Sequence, residues 1–252
     1  MPRLTLHALL ALCVVTAGCT FMGPDYPRSE RAVEALADAK NTTGTVESYR
    51  FTSEMRITAT SDGRTEQIDI AVTGVVATDT RRIRSNTSFD DESRQTYVLN
   101  RTVYRECASP WDGWASEELD EDTKWQSQTP AVRQLSLLES GALYWNGTET
   151  MNGESMMVMT GKPTSEALTS YRDDREQPLV GGPSIDDAEL RAWLDADTDR
   201  LRKTELRFTI ADGGSSARTT MTTTFSGYDK STDIELPEEA HPPDYELGCP
   251  GD

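Results

Sequence analysis

Asp195, Asp197 and Asp199 alternate with other residues, the spacing that opens a calcium-binding loop. The sixth position of that loop is Arg200 where glycine makes the turn, and the twelfth is Leu206 where a bidentate glutamate closes the shell. The spacing therefore predicts a polar turn between strands and no metal site. His241 is the one histidine beyond residue 7 and stands in a proline-rich tail, so a nucleophile–histidine pair has a single poor base. No Gly-x-Ser-x-Gly elbow occurs. Gly181-Gly182 and Gly213-Gly214 lack the strand-to-helix setting and the lysine of a phosphate loop. Paired carboxylates are not diagnostic in a chain with 43 acidic residues. The expectation is a protein that is not an enzyme, with no catalytic residue, cofactor or metal.

Cysteine is the residue that does carry chemistry. An apolar run from Leu4 to Val15 follows Arg3 and ends on Thr16-Ala17-Gly18-Cys19. A basic start, a short apolar stretch and small residues mark a secretory signal, and the run is too short to span a bilayer, which takes roughly 20 residues. Cysteine directly after Ala-Gly resembles the lipobox of bacterial and archaeal lipoproteins, although Thr16 stands where that family has an aliphatic residue. The resemblance implies that residues 1–18 are removed and that the Cys19 thiol carries lipid. The membrane partner would be reached through that lipid, with the protein on the extracellular face of the cell membrane.

The net charge is −18, which disfavours nucleic acid as a partner. Only five lysines accompany twenty arginines. This acidic, lysine-poor balance resembles haloarchaeal proteins, and it implies that most of the acidity serves hydration in concentrated salt. With Cys13 in the signal and Cys19 assigned to lipid, Cys107 and Cys249 remain, and in an oxidising compartment they read as a disulfide. Closing so long a loop would contribute about 4–5 kcal/mol on the chain-entropy model. Four Asn-x-Ser/Thr sequons, at Asn41, Asn86, Asn100 and Asn146, suit an exported chain.

The elements are read from periodicity. Residues 20–28 read as a tether rich in turn formers. Ser29 is a helix N-cap, and Ala32, Val33, Leu36 and Ala37 make one apolar face that predicts a helix to about Lys40. The period then changes to two. Tyr49, Phe51, Met55, Ile57 and Ala59 alternate with polar residues, and after Ser61-Asp62-Gly63 the return strand carries Ile68, Ile70, Val72, Gly74 and Val76. Further strands are predicted over 82–89, 94–100 and 101–107. Residues 108–127, with Trp111, Trp114 and Trp125, break the rhythm. Next come a helix over 130–139, strands over 143–149 and 155–160, and a helix from Ser165 to Tyr171. Strands over 189–195, 201–211 and 217–228 close the pattern, and the tail from Pro237 has no period.

An N-terminal helix before long strands, Val103-Tyr104 before a turn and Trp114, then Trp193-Leu194-Asp195 before two long strands, resembles the LolA/LppX-like lipoprotein fold. The resemblance covers about residues 29–237, with 238–252 a tail pinned by the disulfide. It implies an α+β fold: a long curved antiparallel sheet, an incomplete β-barrel, with helices packed on its concave face. It further implies a lipid or lipidated molecule as ligand, held in a cavity between sheet and helices. The candidate lining residues are Tyr49, Phe51, Met55, Ile57, Ile68, Ile70, Val72, Phe208, Met221 and Phe225, with Leu206 and Ile210 in the same stripe and the thioethers Met156, Met157 and Met159 nearby. Read from the residues alone, the same stripes suit a filled core better than a lined cavity. The alternative function is then a cell-surface interaction or sensor module without a ligand.

Overall fold

The computed structural model describes residues 26–172 and 184–250. Its helices are α1 (Glu30–Thr45), α2 (Pro130–Glu139) and α3 (Ser165–Arg172). Its strands are β1 (Ser48–Ser61), β2 (Arg64–Ala77), β3 (Arg82–Phe89), β4 (Glu92–Leu99), β5 (Thr102–Glu106), β6 (Trp114–Glu118), β7 (Ala142–Met151), β8 (Glu154–Lys162), β9 (Ser184–Asp195), β10 (Leu201–Asp212) and β11 (Ser215–Ser226). Single 3-10 turns lie at Trp125–Gln128 and Glu238–Ala240. The strands form one antiparallel sheet in the order β6-β5-β4-β3-β2-β1-β11-β10-β9-β8-β7. First and last strands pair in its middle, and the sheet ends at β6 and β7 without closing into a barrel. This is the α+β curved antiparallel sheet that the resemblance implies, built from the strands that the alternating pattern predicts.

Local chemistry accounts for the long central hairpin. Asp62 and Gly63 both take positive φ, as a tight two-residue connection requires, and β1 then pairs with β2 without interruption from Ser61↔Arg64 to Ser48↔Ala77. That register puts Tyr49, Phe51, Met55 and Ile57 on the inner face, with Arg50, Thr52, Glu54 and Arg56 on the outer. Gly74 has a specific job in this register. A Cβ there would come 2.4 Å from Phe51 Cζ, so the missing side chain lets the Phe51 ring lie across β2.

Some elements exceed the sequence prediction. The first helix runs on to Thr45, where the Thr45 hydroxyl donates to the Thr42 carbonyl and finishes the last turn. Strand β2 begins at Arg64 because hairpin pairing carries polar residues into the ladder. Strand β6 lies inside the stretch expected to be irregular; its pairing with β5 orders a segment whose acidic residues hide the alternation.

The tail covers the β6 edge, and residues 27–29 cover the Leu143 end of the β7 edge, which shortens the exposed ladder that would invite another chain. At β7, Leu143 exchanges backbone hydrogen bonds with Pro27 and Ser29, so part of the expected tether is docked. At β6, the tail runs alongside: Asp244 and Tyr245 N–H groups reach the Trp114 carbonyl, and the Ser116 N–H reaches Tyr245 O. The disulfide between Cys107 and Cys249, Cα–Cα 5.5 Å, clamps that arrangement.

The main core lies between the inner face and the helices. Ala32, Ala35, Leu36 and Ala39 of α1 and Ala131, Leu135 and Leu138 of α2 meet Tyr49, Phe51, Val76, Phe225 and Leu206. A second, smaller core lies on the outer face, where Ile234 and Ala240 of the tail cover Val75, Ala77, Tyr97 and Trp114. A third packs Met156, Val158 and Trp193, also on the outer face.

Candidate functional site

The inner face changes character along the strands. At the end nearest α1 and α2, Tyr49 and Phe225 rings stand 6.0 Å apart and Tyr49 and Tyr228 rings 5.9 Å apart, all within the helix-covered core. The Tyr49 hydroxyl accepts the Ala131 N–H at 3.2 Å, one of the orphan donors at the start of α2. Burial pushes its pKa up to about 12, against the opposing pull of the Ala131 and Thr129 hydrogen bonds. This half is packed full.

Two residues further along each strand, the inner face carries hydroxyls. Ser53 pairs with Thr223 and Thr223 with Thr204 across adjacent strands, and all three are buried. The Ser53 and Thr223 oxygens share a 2.9 Å hydrogen bond, while Thr204 Oγ1 has no hydrogen-bond partner among the described residues. Above the sheet, Gln134 Nε2 of α2 donates to the Tyr171 hydroxyl of α3 at 2.8 Å, and that oxygen lies 4.0 Å from Met221 Sδ. A polar band thus separates the packed half from the far half of the inner face.

Beyond the band the apolar stripe resumes, with two different environments. Leu206 and Phe208 on β10 are buried, and Leu190 on β9, the strand that α3 packs against, is buried as well. Met55, Ile57, Ile68 and Ile70 on β1 and β2 are only half-buried and lie outside the buried core. Register pairs Met55 with Ile70 and Ile57 with Ile68, so the four form one contiguous aliphatic patch. Val72 and Met221 are half-buried too, but pack against the core and rim the patch. The ten lining candidates therefore divide: Tyr49, Phe51, Phe208 and Phe225 are buried, and the other six are accessible in part. Among the methionines, Met156 faces the outer cluster, while Met157 and Met159 join the inner core.

Sequence reasoning missed the hydroxyl band. Its signal is Ser53, a polar residue at the inner position between Phe51 and Met55, repeated at Thr223 and Thr204.

The other candidates carry no reactive geometry. Asp195 Oδ1 accepts the N–H groups of Asp197 and Thr198, and Arg202 sits 3.0 Å from its other oxygen. Partial burial pushes its pKa up, but the Thr198 hydroxyl, these amides and Arg202 outweigh it and hold the carboxyl below its usual range. Asp199 shifts the opposite way, raised by burial and by the neighbouring Asp38 and Asp195 carboxylates. The triplet is a turn. Among the described residues, no group of three or more metal-ligating side chains is assembled. His241 is exposed in the tail. Trp114 is buried against Tyr97 on the outer face, Trp125 is buried in the inner core, and Trp111 is exposed in its loop. Cys19 and the signal lie outside the described residues, and no described helix is long and apolar enough to cross a membrane.

Solved structures similar to this one include a lipoprotein. Lipoprotein LppX of Mycobacterium tuberculosis is 16% identical, with a TM-score of 0.49 over 82% of this chain and 100% of that one. LprF of Mycobacterium bovis is 13% identical, with a TM-score of 0.43 over 86% and 100%. A LolA superfamily protein of Nitrosomonas europaea is 12% identical, with a TM-score of 0.26 over 81% and 94%. No protein-family model matches the sequence, and no curated protein does.

Proposed function

We propose that this protein is a non-enzymatic surface lipoprotein that holds an apolar ligand, an acyl chain of a lipid or lipidated molecule, on the open half of its inner face. The observation that carries the proposal is the patch of Met55, Ile57, Ile68 and Ile70, half-buried and outside the buried core, with the exposed Phe89 paired to Ile70 at its border. Covering such a patch with methylenes contributes about 0.8 kcal/mol for each one buried, with no catalytic group required. Lipid on Cys19 would hold the molecule at the outer face of the membrane, where such ligands occur.

The test is mass spectrometry of the exported full chain with a fluorescent fatty-acid titration. Denatured protein should show an acyl mass on Cys19, and native protein a retained ligand. Ile70→Asn should abolish probe binding while the melting temperature stays within a few degrees of wild type. A wild-type protein that is clean in native spectra and does not bind the probe overturns the carrier proposal. It would leave the interaction module, for which the same patch would meet a protein.

A further inference from the structure

A cleft of about 510 Å³ lies on the outer face of β1–β4, the side of the sheet away from the aliphatic patch. Its walls are set by the register. Arg50 pairs with Val75 and Val75 with Arg84, so the two arginines flank one valine on the same face, their backbones about 10 Å apart. The adjacent row across the same strands is Thr52, Thr73, Asn86 and Gln95. The stem of Arg50 passes over Gly227 and closes one wall.

The chemistry of the walls is one-sided. In a chain with 43 acidic residues, no described carboxylate lines this cleft. Glu106, on the strand beside Gln95, is engaged by the Gln95 backbone N–H at 3.0 Å. Neither Arg50 nor Arg84 forms an ion pair among the described residues, although Arg56, Arg94, Arg191, Arg200, Arg202 and Arg207 all do. The two amides are oriented by their neighbours. The Ser93 hydroxyl donates to Asn86 Oδ1 at 2.8 Å, and the Tyr97 hydroxyl, on a buried ring, donates to Gln95 Oε1 at 2.9 Å. With their oxygens engaged, both amides are left with NH₂ donors. Two guanidinium groups and two amide nitrogens therefore line one concavity that holds no described carboxylate.

We infer that this cleft binds a tetrahedral oxyanion, a phosphate or sulfate group, between Arg50 and Arg84. Charge-assisted and bidentate bonds from guanidinium are the strong form of such recognition. The Asn86 and Gln95 amides supply donors without adding charge, and they select for an acceptor-only ligand. The tail beside the cleft supports the Gln95 amide: Ile234 packs with Tyr97, the residue that orients it. Two sources present the same group, a free oxyanion and the phosphodiester of an acidic lipid headgroup.

The experiment uses the full chain carrying Cys19→Ser, so that no anchor contributes, in 1 M KCl. Inorganic phosphate is titrated by calorimetry, and vesicles of phosphatidylglycerol are compared with vesicles of phosphatidylcholine by sedimentation. Saturable phosphate binding, weakened about tenfold or more by Arg84→Gln and by Arg50→Gln, is the expected result. Arg218→Gln, on the same face outside the cleft, should leave it unchanged. Asn86→Asp, nearly the same shape, should abolish it by placing an acceptor and a charge against the anion. Preference for phosphatidylglycerol that Arg84→Gln removes would assign the headgroup; phosphate binding without vesicle binding would assign the free ion. Absence of both, or affinity indifferent to Arg84 and Asn86, overturns the site. So does a glycan on Asn86 in the exported protein, because its Nδ2 would then be spent.

Discussion

The two halves of the inner face are built from the same strands with the same alternation, yet one is solid and the other open. In the packed half, Tyr49, Phe51 and Phe225 meet Leu36 of α1 and Leu135 and Leu138 of α2. In the open half, Met55, Ile57, Ile68 and Ile70 have a comparable apolar character without a helix that buries them. Strand pattern decides which residues face inward. Whether an inward residue becomes core or stays accessible is decided by where the helices lie, α1 directly before β1 and α2 from far along the chain.

The largest effect that tests this contrast is Phe51→Ala. Phe51 is 6% exposed, and its ring occupies the space left by Gly74, so truncation leaves a void that neighbours cannot fill. The expected loss is about 3–5 kcal/mol, read as a lower midpoint in urea at constant slope. A loss below about 1 kcal/mol would mean that the packed half is as open as the other, and the comparison would collapse.

How far this contrast is legible in the sequence differs between its parts. Alternation from Tyr49 to Ala59 and the Asp62-Gly63 turn suffice for the hairpin, because both are local. Glycine and asparagine at positive φ mark other turns equally well, as at Asn152 and Gly153. Strand β6 was not legible, since five residues, Trp114 to Glu118, owe their order to pairing with β5 and to the tail. The division of the ten lining candidates was not legible either. Phe51 and Ile70 occupy equivalent inward positions, and only the path of α1 and α2 separates them.

A middle-sized effect probes the packed half through pH. Burial raises the Tyr49 pKa to about 12, and Tyr228, whose hydroxyl donates to the Leu201 carbonyl, is raised by burial as well. Between pH 10 and about 12 the unfolded chain releases protons that the folded chain keeps. Stability contributed by the neutral phenols is thus fully present below pH 10 and falls as pH rises through that window. Tyr49→Phe should cost about 1 kcal/mol at neutral pH by leaving the Ala131 N–H without its acceptor. It should also make the alkaline decline shallower, leaving the Tyr228 contribution. An alkaline limb unchanged by the substitution would show that Tyr49 titrates normally and that this half admits water.

The smallest effect belongs to the open half and sharpens the comparison most. Ile70→Ala removes apolar carbons of the same kind as a core truncation, from an inward position four residue pairs along β1–β2 from the Phe51↔Gly74 pair. Because Ile70 is half-buried and outside the packed core, little of its surface is lost to the fold and no closed cavity forms. The expected cost is about 1 kcal/mol, well below the 2–5 of a buried isoleucine. Measured in delipidated protein, the Phe51→Ala and Ile70→Ala losses should differ by about threefold or more. If a ligand covers the patch, adding it should stabilise wild type by mass action and should stabilise Ile70→Ala less. The gap between the two variants would then narrow in ligand-loaded protein, as Ile70 acquires the burial that the helices supply to Phe51. Equal losses in delipidated protein would place Ile70 in a packed core and remove the open half from the molecule.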